Sequence, residues 1–142
     1  MRVVMDTDVV VAGLRSPRGA SRAWLRAALR REAELLLTVP LVLEYEAVLL
    51  RPETLATVRL GAAEVGRLLD ALCDRAGRVE VSFLWRPTLR DPDDEMVLEA
   101  AVAGRADRLL TFNLRDFAGN ERLGVTAERP GPAWRRWKGD EG

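Results

Sequence analysis

Two hydrophobic periods alternate along the chain. Arg2 to Met5 is a short β-branched run that predicts a buried strand, and its apolar character continues through "VVMDTDVVVAG" (3–13) with Asp6 and Asp8 set into it. "SPRGAS" (16–21) reads as a turn, and Ser21 is placed to cap a helix over 21–32 in which Trp24, Leu25, Ala28 and Leu29 share one face. "ELLLTV" (34–39) predicts a second strand, and Pro40 then suits the first turn of a helix to about Leu50, with Pro52 as its stop. Val65, Leu68, Leu69, Leu72 and Cys73 mark an amphipathic helix from Ala62 to Ala76, ended by Gly77.

Beyond it, "RVEVSF" (78–83) alternates like a strand and "WRPTLRDPDD" (85–94) is a polar loop. Asp93 or Asp94 opens a helix to about Ala103, with Gly104 after it. "DRLLTF" (107–112) predicts a strand, "NLRDF" a loop, and 123–128 a last strand. The tail carries Pro130, Pro132, Trp134 and Trp137, then a polar end expected to fray.

Strands alternating with helices predict an α/β fold in three layers, a central, mostly parallel sheet with helices on both faces. The 142 residues suit one domain with one core, and no repeat or linker divides them. The domain is expected over 1–138, with 139–142 as a polar tail.

Composition narrows the chemistry. Twenty-two basic and 22 acidic residues cancel, so net charge argues neither for nor against a nucleic-acid partner. The chain has no histidine, which removes histidine acid–base catalysis, Ser-His-Asp triads and ordinary zinc sites. The single cysteine, Cys73, sits at an apolar helical position and reads as packing. A reducing, cytoplasmic setting is expected, with no signal peptide and no apolar run of membrane-spanning length.

In parallel α/β sheets, chemistry collects at the carboxyl ends of the strands. Asp6 and Asp8 end the first strand, Asp91, Asp93, Asp94 and Glu95 cluster at a helix start, and Asn113 and Asp116 follow "RLLTF". Glu44 lies about one turn into the helix after the second strand. Singly, each has an ordinary explanation. Asp94 is a good helix cap, Glu44 and Glu46 suit a solvated face, and Asp116 suits an Asx-turn. Together they are four acidic segments aimed at one edge. Crowded carboxylates repel and need cations, and hard oxygen donors suit Mg²⁺ or Mn²⁺.

The stretches "VVMDTDVVVAGL", "LEYEAVLLRP" (43–52), "RDPDDEMVLEAAVAGRADRLLTFNLRDF" (90–117) and "LGVTAERP" resemble, in order, those of PIN domains. The chain is similar in particular to the VapC-like toxin components of bacterial toxin–antitoxin pairs. The resemblance implies a ribonuclease that binds Mg²⁺ or Mn²⁺, one ion or two, through three or four acids. By position these are Asp6, Glu44, Asp94 and, in "TFNLRDF", Asp116 with Thr111 and Asn113. Two departures stand out. Asp8 occupies a position where the family commonly has Asn, and the run Asp93-Asp94-Glu95 leaves the third ligand open by one residue, with Asp91 as a further candidate.

On this reading Asp6 and Asp94 bind the metal, Asp116 joins directly or through water, Glu44 orients the attacking water, and Thr111 and Asn113 orient ligands. Arg15, Arg18, Arg22 and Arg115 are candidates for RNA phosphates, although ordinary surface arginine describes them as well. The resemblance also implies a cognate antitoxin, seated in grooves lined by the apolar faces of 21–32 and 41–50, and a homodimer. Trp24, Trp85, Trp134 and Trp137 suit an interface or a core equally. Two rivals remain. "DTDV" fits the D-x-D-[TV] signature of haloacid-dehalogenase-type phosphatases, but the lysine such chemistry needs is represented only by Lys138 in the tail. A catalytically silent RNA- or protein-binding PIN module is the other.

Overall fold

The computed structural model describes residues 1–80, 89 and 91–139. Among them five strands, β1 (Arg2–Met5), β2 (Glu34–Leu37), β3 (Gly77–Arg78), β4 (Arg108–Leu110) and β5 (Ala127–Glu128), form one sheet in the order β3-β2-β1-β4-β5. Every pairing is parallel, with Val3 opposite Leu35 on one side and Arg108 on the other. Val3, Val4 and Met5 are fully buried, as a central strand covered on both faces requires.

Seven helices among the described residues connect and flank the strands: α1 (Thr7–Arg15), α2 (Ala20–Leu29), α3 (Val39–Leu49), α4 (Pro52–Val58), α5 (Ala62–Arg75), α6 (Pro92–Ala103) and α7 (Pro130–Lys138). The chain steps from β1 to β2 to β3 in one direction, then reverses across the sheet to β4. Right-handed crossovers therefore put α6 on the face opposite α1 and α2. There α6 packs on β1, β2 and β4. α3 touches both α1 and α6, and the buried Tyr45 hydroxyl on α3 donates to the Met5 carbonyl. The two helical layers thus meet beside the carboxyl end of β1.

Several boundaries differ from the pattern in the sequence. The run after Met5 is a helix, not a strand extension. Asp6 caps it in an extended conformation (φ −62°, ψ 151°) and accepts from the Thr7 N–H at 2.8 Å. Val9, Val10, Gly13 and Leu14 are its buried stripe. Gly13 permits the close crossing with α2, since a Cβ there would lie 2.5 Å from a Leu25 methyl carbon. Gly19, not Ser21, precedes α2, and Ser21 is buried within it. β2 is two residues shorter than expected because Thr38 caps α3, its hydroxyl accepting from the Leu41 N–H at 3.2 Å. Pro52 ends nothing further but opens α4 at its first position. Gly77 lies in β3 instead of stopping α5. Of the strand expected at 78–83, Arg78 is in β3, and 81–83 lie outside the described residues, as do 85–88, 90 and 140–142.

Asp91, two or three residues earlier than expected, caps α6 by accepting from the Asp93 N–H at 2.9 Å. The "tail" after β5 is an ordered helix. Trp24 donates its indole N–H to the Pro130 carbonyl at 3.0 Å, stacks on Trp137 at 5.1 Å and meets Trp134 edge-on at 5.2 Å. Three of the four indoles are therefore partnered within the chain; Trp85 is outside the described residues. Of the expected apolar docking faces, Trp24, Leu25, Leu41, Tyr45 and Leu49 are core residues, whereas Leu43 and Leu50 stay exposed and Val42 and Leu43 line a cavity with Cys73 of α5.

Candidate active site

The acids converge where β1 and β4 end. Asp6 follows β1 directly, and its N–H donates to the Leu110 carbonyl at 2.9 Å, tying it to the neighbouring strand. Its carboxylate is held at both oxygens: Oδ1 accepts from Thr7 N–H, and Oδ2 accepts from the Thr111 hydroxyl at 2.7 Å. That hydroxyl in turn accepts from the Asn113 N–H at 2.9 Å. Thr111 is fully buried, so the rotamer of Asp6 is fixed by groups that cannot swing away.

Asp8 lies one residue into α1. Its Oδ2 accepts from the Phe112 N–H at 3.2 Å and from the Asn113 side-chain amide at 3.1 Å. Its Oδ1 is buried with no hydrogen-bond partner among the described residues. An orphaned buried carboxylate oxygen costs free energy unless protonated or paired with a cation. Burial, then the Asp6 charge, pushes the Asp8 carboxyl up to about 6.

A cleft of ≈ 590 Å³ joins Asp6 and Asp8 to Glu44 on α3 and to Asp91, Asp93 and Asp94 at the start of α6. Asp94 is raised furthest of the rim acids, to about 7, by partial burial and by the charges of Asp6, Asp91, Asp116 and Asp93. Glu44 is raised by desolvation and by Asp93, against a lowering from Arg51, with Asp91 and Asp6 adding smaller repulsions. Asp6 is raised by burial, offset by its bond to Thr111, with Asp116 as the charge that raises it. Asp116 stands in a short 3₁₀ turn (Leu114–Phe117) and lines an adjoining bay of ≈ 460 Å³.

The remaining expected residues divide. Arg15 lines the cleft and Arg115 the bay. Arg18 is exposed in the α1–α2 turn and lines neither. Arg22 is turned to a structural task, donating to the carbonyls of Gly13 and Leu14 at the end of α1. Glu95 is buried and accepts from the Leu89 N–H at 2.7 Å, away from the cleft lining. Phe112 and Arg129, which the sequence pattern did not single out, line the site. Arg129 directly follows β5 and Phe112 lies two residues past β4, so the strand-end rule that found Asp6 also applies to them. Lys138 pairs with Glu32 at 3.7 Å and lies over Trp137 at 4.2 Å, outside the cleft lining.

Among the described residues, no three acids are close enough to form a ready-made metal cage. The donor chemistry nevertheless fits a hard divalent cation. The cleft offers carboxylates without histidine or thiol, one orphaned oxygen, and carboxyls raised in part by one another's charge.

The PIN domain family model matches residues 2–115, and the chain belongs to that family. PIN domains are generally nucleases that use divalent metal ions. Among solved structures, the chain is similar to one described as VapBC2 from Rickettsia felis bound to a DNA fragment from their promoter, at 12% identity and a TM-score of 0.60. That likeness covers 91% of this chain and 98% of the other and extends to the fold. No curated protein matches. No helix among the described residues is long and apolar enough to cross a membrane.

Proposed function

We propose that this chain is a Mg²⁺- or Mn²⁺-dependent endoribonuclease that acts in the cytoplasm as the toxin of a toxin–antitoxin pair. The observation that carries the reading is electrostatic. Acids from four separate segments, Asp6, Glu44, Asp94 and Asp116, face one edge of a parallel sheet, and Asp6 and Asp116 both raise Asp94. When bound, the divalent ion lowers the pKa of a water and neutralises charge on phosphoryl oxygens.

Asp6 and Asp94 would hold the ion, with Asp116 as a third carboxylate. Thr111 keeps Asp6 in one rotamer, and Asn113 does the same for Asp8. Asp8, in place of the commoner Asn, adds a charge that strengthens cation binding. Glu44 orients the attacking water from the α3 side. Arg15 and Arg115 supply the positive charge that RNA phosphates require. The phosphatase alternative is disfavoured because Lys138, the only lysine, sits on the indole cluster.

The toxin role is supported by the family and by the fold shared with the Rickettsia felis structure. An antitoxin arginine would bond two of these carboxylates and compete with the metal. The test is cleavage of single-stranded RNA with Mn²⁺ or with chelator, and induction of the chain alone or with the protein of the adjacent reading frame. Metal-dependent cleavage, growth arrest on induction alone and relief by the co-purifying neighbour are expected. A covalent aspartyl-phosphate in place of cleavage would contradict the reading.

A further inference from the structure

We propose that the bay beside the acidic cleft is a nucleotide subsite for the strand being cut, in which Phe112 stacks one unpaired base and Arg115 and Arg129 hold the neighbouring phosphate. The inference rests on the ribonuclease reading and adds to it the form of substrate and the residues that grip it. Phe112 and Asn113 line both the cleft and the bay, so the two hollows adjoin at these residues.

Phe112 stands out from its neighbours. Leu109, Leu110 and Thr111 before it are fully buried, yet the phenyl is 42% exposed at the junction of cleft and bay. Its backbone is not loose, because its N–H is bonded to Asp8. A half-exposed ring on a tethered backbone, beside guanidinium groups suited to phosphate, is what base stacking uses.

The two guanidinium groups come from different segments, Arg115 from the 3₁₀ turn and Arg129 from the residue before α7. The acid next to Arg129, Glu128, is already occupied by Arg108 at 3.4 Å and by Arg136. Among the described residues neither Arg115 nor Arg129 makes an ion pair. With Arg15 lining the cleft and Arg115 and Arg129 the bay, both hollows carry cations beside the acids. A polyanion laid across the two would meet cations in each. A duplex would keep its bases from the phenyl ring, so the fit is to a single strand.

The test uses Asp6→Asn as the full chain that binds without cutting, and a fluorescent single-stranded RNA. Adding Phe112→Ala is expected to weaken binding roughly tenfold or more, with Phe112→Trp restoring it. Adding Arg129→Ala is expected to lower the slope of log affinity against log salt by about 0.7. In the cutting enzyme the same changes raise KM with little loss of kcat. If the wild type cleaves RNA with metal but Phe112→Ala and Arg129→Ala leave affinity, salt slope and KM unchanged, the subsite is wrong and the nuclease reading stands. If the wild type neither binds nor cuts RNA, both fall.

Discussion

The acidic cleft and the indole cluster are built on opposite terms. Around Trp24 every strong group has a partner: the indole N–H reaches Pro130, the rings of Trp134 and Trp137 meet it at edge and face, and Lys138 covers Trp137 while pairing with Glu32. In the cleft, carboxylates repel one another, Asp8 leaves an oxygen without a partner among the described residues, and Asp8 and Asp94 are raised from their ordinary range. One region contributes stability and the other spends some of it. The difference teaches where to look for chemistry, because native folds tolerate such conflict chiefly at sites that bind something.

The contrast can be broken from either side. Asp6→Asn or Asp94→Asn should lower RNA cleavage roughly 10²-fold or more, while the metal-free fold melts no lower than wild type. Trp24→Ala should do the reverse, costing about 3–5 kcal/mol in denaturant unfolding because a fully buried indole leaves a cavity.

A finer test is pH. Asp8 and Asp94 have folded values of about 6 and about 7, above the ordinary 3.8, so the folded state holds their protons more tightly than the unfolded chain. Their contribution is most favourable below about pH 4 and is lost as pH rises through about 7. Metal-free Asp8→Asn and Asp94→Asn should thus melt above wild type at about pH 8, with the gain shrinking towards about pH 4. Smallest of all, Lys138→Ala should cost under about 1 kcal/mol, since its ion pair and its place over Trp137 are both solvent-exposed.

How much of this could be read in the sequence depends on the kind of signal. The parallel α/β sheet and the acid set were legible, because strand periodicity and strand-end carboxylates are local patterns. α1 was hidden by its Val9-Val10-Val11 run, whose β-branched side chains read as strand. The better signal was Asp6 as a cap before buried positions at helical spacing. α7 was hidden by Pro130 and Pro132, which suggest an irregular tail yet suit a first helical turn. Glu95 and Arg22 show the other limit. Residue type marked them as ligands, but their partners, the Leu89 amide and the α1 carbonyls, are set by the turns that bring those groups to them.

The central claim is that Asp6 and Asp94 belong to one divalent-cation site. Calorimetric titration of Mn²⁺ into the metal-free protein at about pH 8, above the value of about 7 to which Asp94 is raised, tests it most directly. The account predicts saturable binding to wild type and none at that site in the Asp6→Asn, Asp94→Asn double variant, with both proteins folded. Equal Mn²⁺ affinity in the two proteins, or no binding by wild type, would contradict it.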